Sequence, residues 1–146
     1  MPILWRLEGI KRMIKPRFYL SGAMTGVDKN VSANWRRQLV ALFKEASCFN
    51  PWDFWDMDSS INDREAMNFD INALRKCDLV IVNFELNPLS IGTNMEIAIA
   101  YEHRIPIIGY CRHGELHPWQ RDMCERVFTD WDEMIDYIRL YYLEEW

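Results

Sequence analysis

The segment FDINALRKCDLVIVNFELNPLSIGTNME, residues 69–96, decides the fold class of this chain. It contains a helix with an acid at Asp70, a near-continuous apolar run at residues 79–82, and a second helix that carries Glu96. Such an apolar run is typical of a strand that is covered on both faces of a parallel sheet. In an open α/β fold, Asp70, Ser90 and Glu96 would therefore surround one crevice at the carboxyl end of that strand.

The alternation of strand and helix patterns continues on both sides of this segment. Further strands are predicted at residues 17–21, 48–49, 105–110 and 127–128, and helices are predicted to end near residues 45, 76, 102, 124 and 142. This pattern predicts a flavodoxin-like or Rossmann-like α/β domain, with about five parallel strands and helices on both faces of the sheet. The expected strand order is 2-1-3-4-5, because each crossover must be short and right-handed.

The chain divides into two predicted parts. Residues 1–15 are expected to form an N-terminal arm or a short helix, which Pro16 ends. Residues 16–146 are expected to form one domain, because 146 residues of which 49% are hydrophobic suffice for a single core. The aromatic and acidic segment at 51–60 is predicted to be an irregular loop, in which Trp52 would either stack on a flat ligand or cover the edge of the sheet.

Composition and charge exclude several classes of function. The net charge of −5 argues against a nucleic-acid-binding surface, which needs a basic face. No apolar run approaches the roughly 20 residues of a membrane span, so no membrane partner is expected. The four cysteines contain no CxxC pair, which favours reduced core residues and a cytoplasmic protein. Cys111, His113 and His117 fit no common zinc spacing, so no metal site is expected.

Two acids are the strongest candidates for chemistry. Asp70 shares a helix face with Met67 and Leu74, so its carboxylate is expected on the apolar, core-directed side, where it is costly unless it is used. Glu96 lies near the first turn of the following helix, but Thr93-x-x-Glu96 also matches a capping box, and the sequence supports that interpretation at least as well. Two carboxylates that face one crevice are what the cleavage of a glycosidic bond requires.

The ends of two predicted strands carry further candidates. The turn SGAMTG at residues 21–26 is either a loop that lets a ligand approach backbone N–H groups or a plain strand-to-helix turn. Tyr19 alternates with its apolar neighbours and would face the crevice, although a packing role is equally open. Ser90 and Gly92 precede a helix, where a hydroxyl and free N–H groups form either an anion site or a polar loop.

Three segments together resemble the nucleoside 2-deoxyribosyltransferase superfamily, including its branch of 2′-deoxynucleoside 5′-monophosphate N-hydrolases. They are FYLSGAMTG at 18–26, the helix-to-strand passage at 70–78, and SIGTNMEIAIAYEHRIPII at 90–108. The last is similar to the family's (D/S)xGTxxE-helix-Pro-strand signature. The resemblance covers about residues 17–138 and implies cleavage of the N-glycosidic bond of a nucleoside or nucleotide, without a metal or redox cofactor.

The resemblance also implies roles for single residues. Glu96 would be the nucleophile that attacks the anomeric carbon, Asp70 would hold or protonate the leaving base, and Tyr19 would orient the nucleophile. A neighbouring subunit would complete the site, so a homodimer or higher homo-oligomer is expected. The implied substrate-binding residues are Ser21, Gly22, Met24, Gly26, Trp52, Ser90, Gly92 and Thr93.

Ser90 bears on the choice of substrate. Transferases that act on free nucleosides usually carry an acid at this position, and a carboxylate there would repel a phosphate. A serine resembles the branch that acts on 5′-monophosphates, in which Ser90 and the backbone of Ile91 and Gly92 would cradle the phosphate. That branch usually adds a basic residue in the first turn, for which Lys29 is the nearest candidate.

Three questions stay open at the level of sequence. Transfer to another base and hydrolysis by water share the same intermediate, so the residues do not choose between them. A non-catalytic nucleotide sensor or interaction module on the same fold is the main alternative. A receiver-like signalling domain is less well supported, because Ser21 and Gly22 follow the first strand where that class needs acids.

Overall fold

A computed structural model describes residues 14–55 and 61–144. Most of the predicted N-terminal arm, residues 1–13, lies outside the described residues. The strands are β1 (Arg17–Gly22), β2 (Ser47–Phe49), β3 (Leu79–Asn83), β4 (Ile107–Tyr110) and β5 (Arg126–Phe128). The helices are α1 (Lys29–Leu42), α2 (Trp52–Trp55), α3 (Asp63–Arg75), α4 (Ile91–Glu102), α5 (Pro118–Met123) and α6 (Trp131–Ile138), and α6 continues into a π-helical turn, Arg139–Leu143.

The strands form one parallel sheet in the order β2-β1-β3-β4-β5. The predicted fold class and strand order are therefore confirmed. Alternation along β1 divides the core into two layers. Phe18 and Leu20 pack in the layer that contains Leu39 of α1, whereas Tyr19 packs in the layer that contains Ile97 of α4. The predicted orientation of Tyr19, opposite to its apolar neighbours, is confirmed.

The two neighbours of β1 differ in length. On one side, β2 pairs only with Arg17, Phe18 and Tyr19. On the other side, β3 follows β1 to its last residue, where Gly22 pairs with Asn83. The last three residues of β1 therefore have a strand on one side only, and their other side is free for side chains from elsewhere in the fold.

Gly22 is required where β1 ends, because the backbone is closely packed there. A Cβ at this position would lie 2.8 Å from Cζ2 of Trp35 and 3.2 Å from the carbonyl oxygen of Asn83. The Trp35 indole that fills this space is itself buried, and its Nε1 has no hydrogen-bond partner among the described residues. Gly22 therefore lets α1 approach the end of β1.

Helix α3 is capped by Asn62, whose side chain accepts from the Glu65 N–H. Two local predictions are wrong. Residues 52–55 form a short helix inside the segment that was expected to be irregular. Met67 is 52% exposed and does not belong to the buried face of α3, which carries Leu74 and the half-buried Asp70.

Within the described ranges, no helix is long and apolar enough to cross a membrane. All four cysteines are free, and Cys77 and Cys111 are buried. Burial raises the pKa of the Cys77 thiol to about 12, which is typical of an unreactive core thiol. This agrees with the predicted core role of Cys77.

Candidate active site

Glu96 of α4 is held by two hydroxyl groups from β1. The Tyr19 hydroxyl donates to Oε2 of Glu96, and the Ser21 hydroxyl donates to Oε1 at 3.0 Å. Tyr19 and Ser21 are two residues apart on β1, so both side chains leave the same face of the sheet. The carboxylate of Glu96 therefore lies over the carboxyl end of β1.

This geometry decides against the capping-box interpretation. The N-cap of α4 is Ser90, whose Oγ accepts from the Thr93 N–H at 3.5 Å and from the Thr93 hydroxyl at 3.1 Å. The prediction that Thr93 caps the helix is wrong by one turn, because Ser90 takes the capping position. Glu96 thus lies in the second turn of α4, where it serves no cap and is available to β1.

Burial and neighbouring groups raise the pKa of Glu96 from the ordinary 4.5 to about 7. Desolvation is the largest cause and favours the protonated form. The hydrogen bonds from Tyr19 and Ser21 oppose it, since they favour the carboxylate. The negative charge of Asp70 raises the pKa further, and the positive charge of Arg36 lowers it. Glu96 therefore changes its charge near neutral pH.

Tyr19 is placed so that it always donates. Its side chain is fully buried and stacks on the Phe49 ring, with ring centroids 5.2 Å apart. Burial, followed by the charges of Glu96 and Asp70, raises the pKa of Tyr19 well above its usual range. The hydroxyl therefore keeps its proton, and it orients Glu96 rather than exchanging protons with it.

Asp70 joins this cluster from α3. It is half-buried, and its charge acts on Tyr19, Glu96 and Arg36, which places it in the same electrostatic environment. Two acids from different helices thus act on the same cluster of buried groups. Such a pair combines one carboxylate held for attack with a second acid that is able to contact a leaving group.

Arg36 of α1 was not identified from the sequence. Its side chain is fully buried, and its Nε and Nη2 donate to the carbonyls of Leu20 and Gly22 at 3.1 and 2.8 Å. Its Nη1 donates to the Ser32 carbonyl and hydroxyl at 2.7 and 2.9 Å. The sequence did contain a signal for the burial of Arg36, because Ser32, Arg36 and Leu39 follow one another at helical spacing on the face of α1 that packs on the sheet.

Trp52 is joined to the first turn through Ser32. The Ser32 hydroxyl donates to the Ala23 carbonyl at 2.7 Å and accepts from Nε1 of Trp52 at 3.0 Å. The Lys29 ammonium lies 5.6 Å from the centroid of the Trp52 ring. The segment after β2 and the turn after β1 are therefore one connected unit, which brings Trp52 beside residues 22–26.

The turn at 22–26 itself is partly open. Met24 is half-exposed, and Gly26 has a φ of +78°, a conformation that favours glycine. A Cβ at Gly26 would meet nothing within 4 Å. Glycine is therefore favoured at this position by the backbone conformation and not by close packing. Thr25 and Gly26 are exposed, whereas Gly22 and Ala23 are buried, so the open part of the turn is its second half.

The loop that carries Ser90 is fixed by two amides. The Pro88 carbonyl accepts from Nδ2 of Asn94 at 3.1 Å and from Nε2 of Gln120 at 2.6 Å. Gln120 of α5 is buried and also donates to Oδ1 of Asn94 at 2.8 Å. The start of α4 is thus held in one position, and Gln120 is a second supporting residue that the sequence did not reveal.

The residues that were predicted to bind a phosphate lie at the start of α4. Ser90 is half-exposed, and a Cβ at Gly92 would meet nothing within 4 Å, so space is open in front of these residues. Thr93 is buried and its hydroxyl donates a hydrogen bond to Oγ of Ser90, so it supports the position of Ser90. Six residues of helix separate Ser90 from Glu96, which corresponds to about 9 Å along the axis.

Two cavities flank the site. One, of about 340 Å³, runs beside β2 and α3 and is lined in part by Phe49 and Phe69. The other, of about 420 Å³, lies between α1 and the end of β3 and is lined in part by Trp35. Glu96 lines neither of them. Phe49, which lines the first cavity, stacks on Tyr19 of the site.

No protein-family profile matches this sequence, and no curated protein matches it significantly. Solved structures with the same fold do match. A conserved protein from Enterococcus faecalis V583 has a TM-score of 0.73 at 16% identity, over 87% of this chain and 99% of its own. A 2-deoxyribosyltransferase from Bacillus psychrosaccharolyticus has a TM-score of 0.68 at 18% identity, over 83% of this chain and 91% of its own.

A CMP N-glycosidase from Clostridium botulinum is also similar. It has a TM-score of 0.62 at 19% identity, over 86% of this chain and 98% of its own. At these identities the likeness shows the fold, which these proteins share with this chain over nearly their whole length.

Proposed function

We propose that this protein cleaves the N-glycosidic bond of 2′-deoxyribonucleosides or their 5′-monophosphates, with Glu96 as the nucleophile. The observation that carries the proposal is the carboxylate of Glu96, held by the Tyr19 and Ser21 hydroxyls and accompanied by Asp70. A structural glutamate would gain little from this arrangement, because burial already disfavours its charge. The superfamily resemblance and the two similar glycosidic-bond enzymes support the same reaction.

In the first step, the ionised Glu96 attacks the anomeric carbon of the sugar. The bond from that carbon to the base nitrogen breaks, and an ester between the sugar and Glu96 forms. Asp70 stabilises the departing base by hydrogen bonding or by giving it a proton. Tyr19 and Ser21 hold the carboxylate in the orientation for attack, because each donates to a different oxygen atom.

In the second step, an acceptor attacks the same carbon and releases Glu96 as a carboxylate. A water molecule as acceptor yields the free sugar or sugar phosphate, and a second base as acceptor yields a new nucleoside. Asp70, on the side from which the first base left, would take the proton of the acceptor. The two outcomes differ only in what enters, so both hydrolase and transferase activity are compatible with this site.

We propose 5′-monophosphates as the preferred substrates. Ser90 adds no negative charge at the start of α4, and its hydroxyl donates to no acceptor among the residues that the structure describes. The N–H groups of the first helical turn and the positive end of the helix dipole favour an anion there. Lys29, beside Trp52 at the start of α1, adds a cation after the turn that follows β1.

We propose that the active form is a homodimer or a larger homo-oligomer. Leu89, Ile91, Met95 and Trp119 are each more than 60% exposed, at the start of α4 and on the neighbouring α5. Large apolar side chains at such exposure support a subunit interface next to the site. Tyr141, which is 56% exposed after α6, belongs to a second candidate surface. The four free cysteines support a reducing compartment such as the cytoplasm.

Chromatography of released base tests the proposal. The protein is incubated with each deoxynucleoside and each deoxynucleoside 5′-monophosphate, with and without a second free base. Intact-mass spectrometry of the quenched mixture detects the sugar ester on Glu96. We expect base release from monophosphates, and a protein mass increased by one deoxyribose phosphate residue.

Glu96→Gln is the decisive variant, and Glu102→Gln is its matched control. Glu102 is an exposed glutamate on the same helix, so its substitution leaves the site intact. We expect Glu96→Gln to abolish base release and Glu102→Gln to retain it. A folded Glu96→Gln protein with wild-type activity would refute the nucleophile. Ligand-dependent thermal stabilisation without base release by the wild type would favour a nucleotide sensor instead.

A further inference from the structure

The end of β1 lacks a strand on the β2 side. The Pro16 carbonyl accepts from the Ser47 N–H of β2 at 2.8 Å, so every second residue of β1 turns its backbone groups towards β2. Leu20 and Gly22 follow Pro16 in this period of two. Their carbonyls therefore point to the side on which β2 has already ended.

Arg36 takes the place of the missing strand. Its Nε donates to the Leu20 carbonyl at 3.1 Å and its Nη2 donates to the Gly22 carbonyl at 2.8 Å. These two carbonyls flank Ser21, whose hydroxyl donates to Glu96. The guanidinium fork thus fixes the backbone on both sides of the residue that holds the carboxylate.

Within the described residues, Arg36 makes no direct ion pair. Its hydrogen bonds there all go to neutral oxygen atoms, the carbonyls of Leu20, Gly22 and Ser32 and the Ser32 hydroxyl. A buried cation is costly, and a neutral N–H donor would satisfy the same carbonyls at a lower cost. The anions that offset this cation electrostatically are Glu96 and Asp70.

We propose that Arg36 is a positioning residue for Glu96, which sets the orientation of Ser21 through the backbone and supplies a buried positive charge to the carboxylate. The inference rests on the proposed function where it concerns turnover. The charge favours Glu96 as a carboxylate before attack and again when the ester is broken. Loss of Arg36 is therefore expected to slow the chemical steps more than it weakens substrate binding.

The groups that act on the charge of Glu96 come from three elements besides α4. They are Tyr19 and Ser21 of β1, Asp70 of α3 and Arg36 of α1. Strand β3, which also packs against α4, carries no titratable side chain. Arg36 is the cation of this set, so its removal is expected to raise the pKa of Glu96.

Two variants separate the charge of Arg36 from its shape. Arg36→Met removes both, whereas Arg36→Lys keeps a charge but loses the fork that reaches two carbonyls. Arg37→Met is the matched control, because Arg37 is the exposed neighbour on the same helix. Circular dichroism and the thermal midpoint of each variant establish that it is folded.

The first readout needs no substrate. Carbon-13 NMR of protein labelled at the glutamate carboxyl carbons follows the titration of Glu96, and its signal is assigned with Glu96→Gln. We expect Arg36→Met to raise the pKa of Glu96 by about one pH unit or more, and Arg36→Lys and Arg37→Met to leave it near the wild-type value. An unchanged Glu96 titration in Arg36→Met would overturn the proposal.

The second readout is the rate of base release. We expect both Arg36 variants to lower kcat by about 10- to 100-fold with little change in KM, and Arg37→Met to match the wild type. If Arg36→Met does not fold, a folded Arg36→Lys with wild-type kcat would overturn the proposal. If the wild type releases no base, the proposed function fails, and the titration of Glu96 still decides the role of Arg36.

Discussion

Tyr19→Phe tests how the hydroxyl groups control the nucleophile. The substitution removes the hydrogen bond to Oε2 of Glu96 but keeps a ring that stacks on Phe49. A hydrogen bond to a charged group contributes about 1.5–3 kcal/mol. Since one pH unit corresponds to about 1.4 kcal/mol, the pKa of Glu96 should rise by roughly one to two units above its value of about 7.

The resulting loss of activity should depend on pH. At pH 7 about half of the wild-type Glu96 is ionised, whereas in Tyr19→Phe the ionised fraction is expected to be roughly 1–10%. The kcat/KM for base release should therefore fall about 5- to 50-fold at pH 7 and recover most of this loss near pH 9.5. The acid limb of the pH profile should move upwards by the same one to two units.

The assay is base release over pH 5–10, with Tyr101→Phe as the control. Tyr101 lies on the exposed surface of α4 and makes no contact with Glu96 among the described hydrogen bonds, so its variant should keep the wild-type profile. A deficit in Tyr19→Phe that is equally large at pH 7 and pH 9.5 would refute the reasoning. In that case Tyr19 would act on geometry alone and not on the ionisation of Glu96.

Three further predictions concern stability and specificity. Because the pKa of Glu96 is raised from 4.5 to about 7, ionisation of Glu96 lowers the free energy of unfolding as pH rises between these values. In urea titrations at pH 8, Glu96→Gln should therefore have a free energy of unfolding up to about 3 kcal/mol higher than the wild type, and this difference should vanish towards pH 4.5. Gly22→Ala should lower the free energy of unfolding by about 1–3 kcal/mol, because its Cβ would meet Trp35, whereas Gly92→Ala should not destabilise the protein. Ser90→Asp should lower kcat/KM for monophosphates by about tenfold or more relative to free nucleosides, and equal losses for both would contradict the phosphate site.

The sequence was sufficient for the architecture because that information is local. The apolar run in β3 and the period-two alternation of β1 predicted a parallel sheet, its strand order and the opposite orientation of Tyr19 and its neighbours. The same reasoning failed where several local solutions have similar energies. Residues 52–55 form a short helix in a segment that was expected to be irregular, and Met67 is exposed although it fits a helical apolar repeat.

The roles of Glu96 and Arg36 required the tertiary structure. Thr93-x-x-Glu96 fits both a capping box and a catalytic glutamate, and the contact that decides between them joins Glu96 to Tyr19, 77 residues earlier in the chain. Arg36 is buried because β2 ends three residues before β1 does, and the sequence of α1 does not contain that difference. Helices and strands follow from the spacing of nearby side chains, whereas the partners and the charge of a buried group depend on segments that only the folded chain brings together.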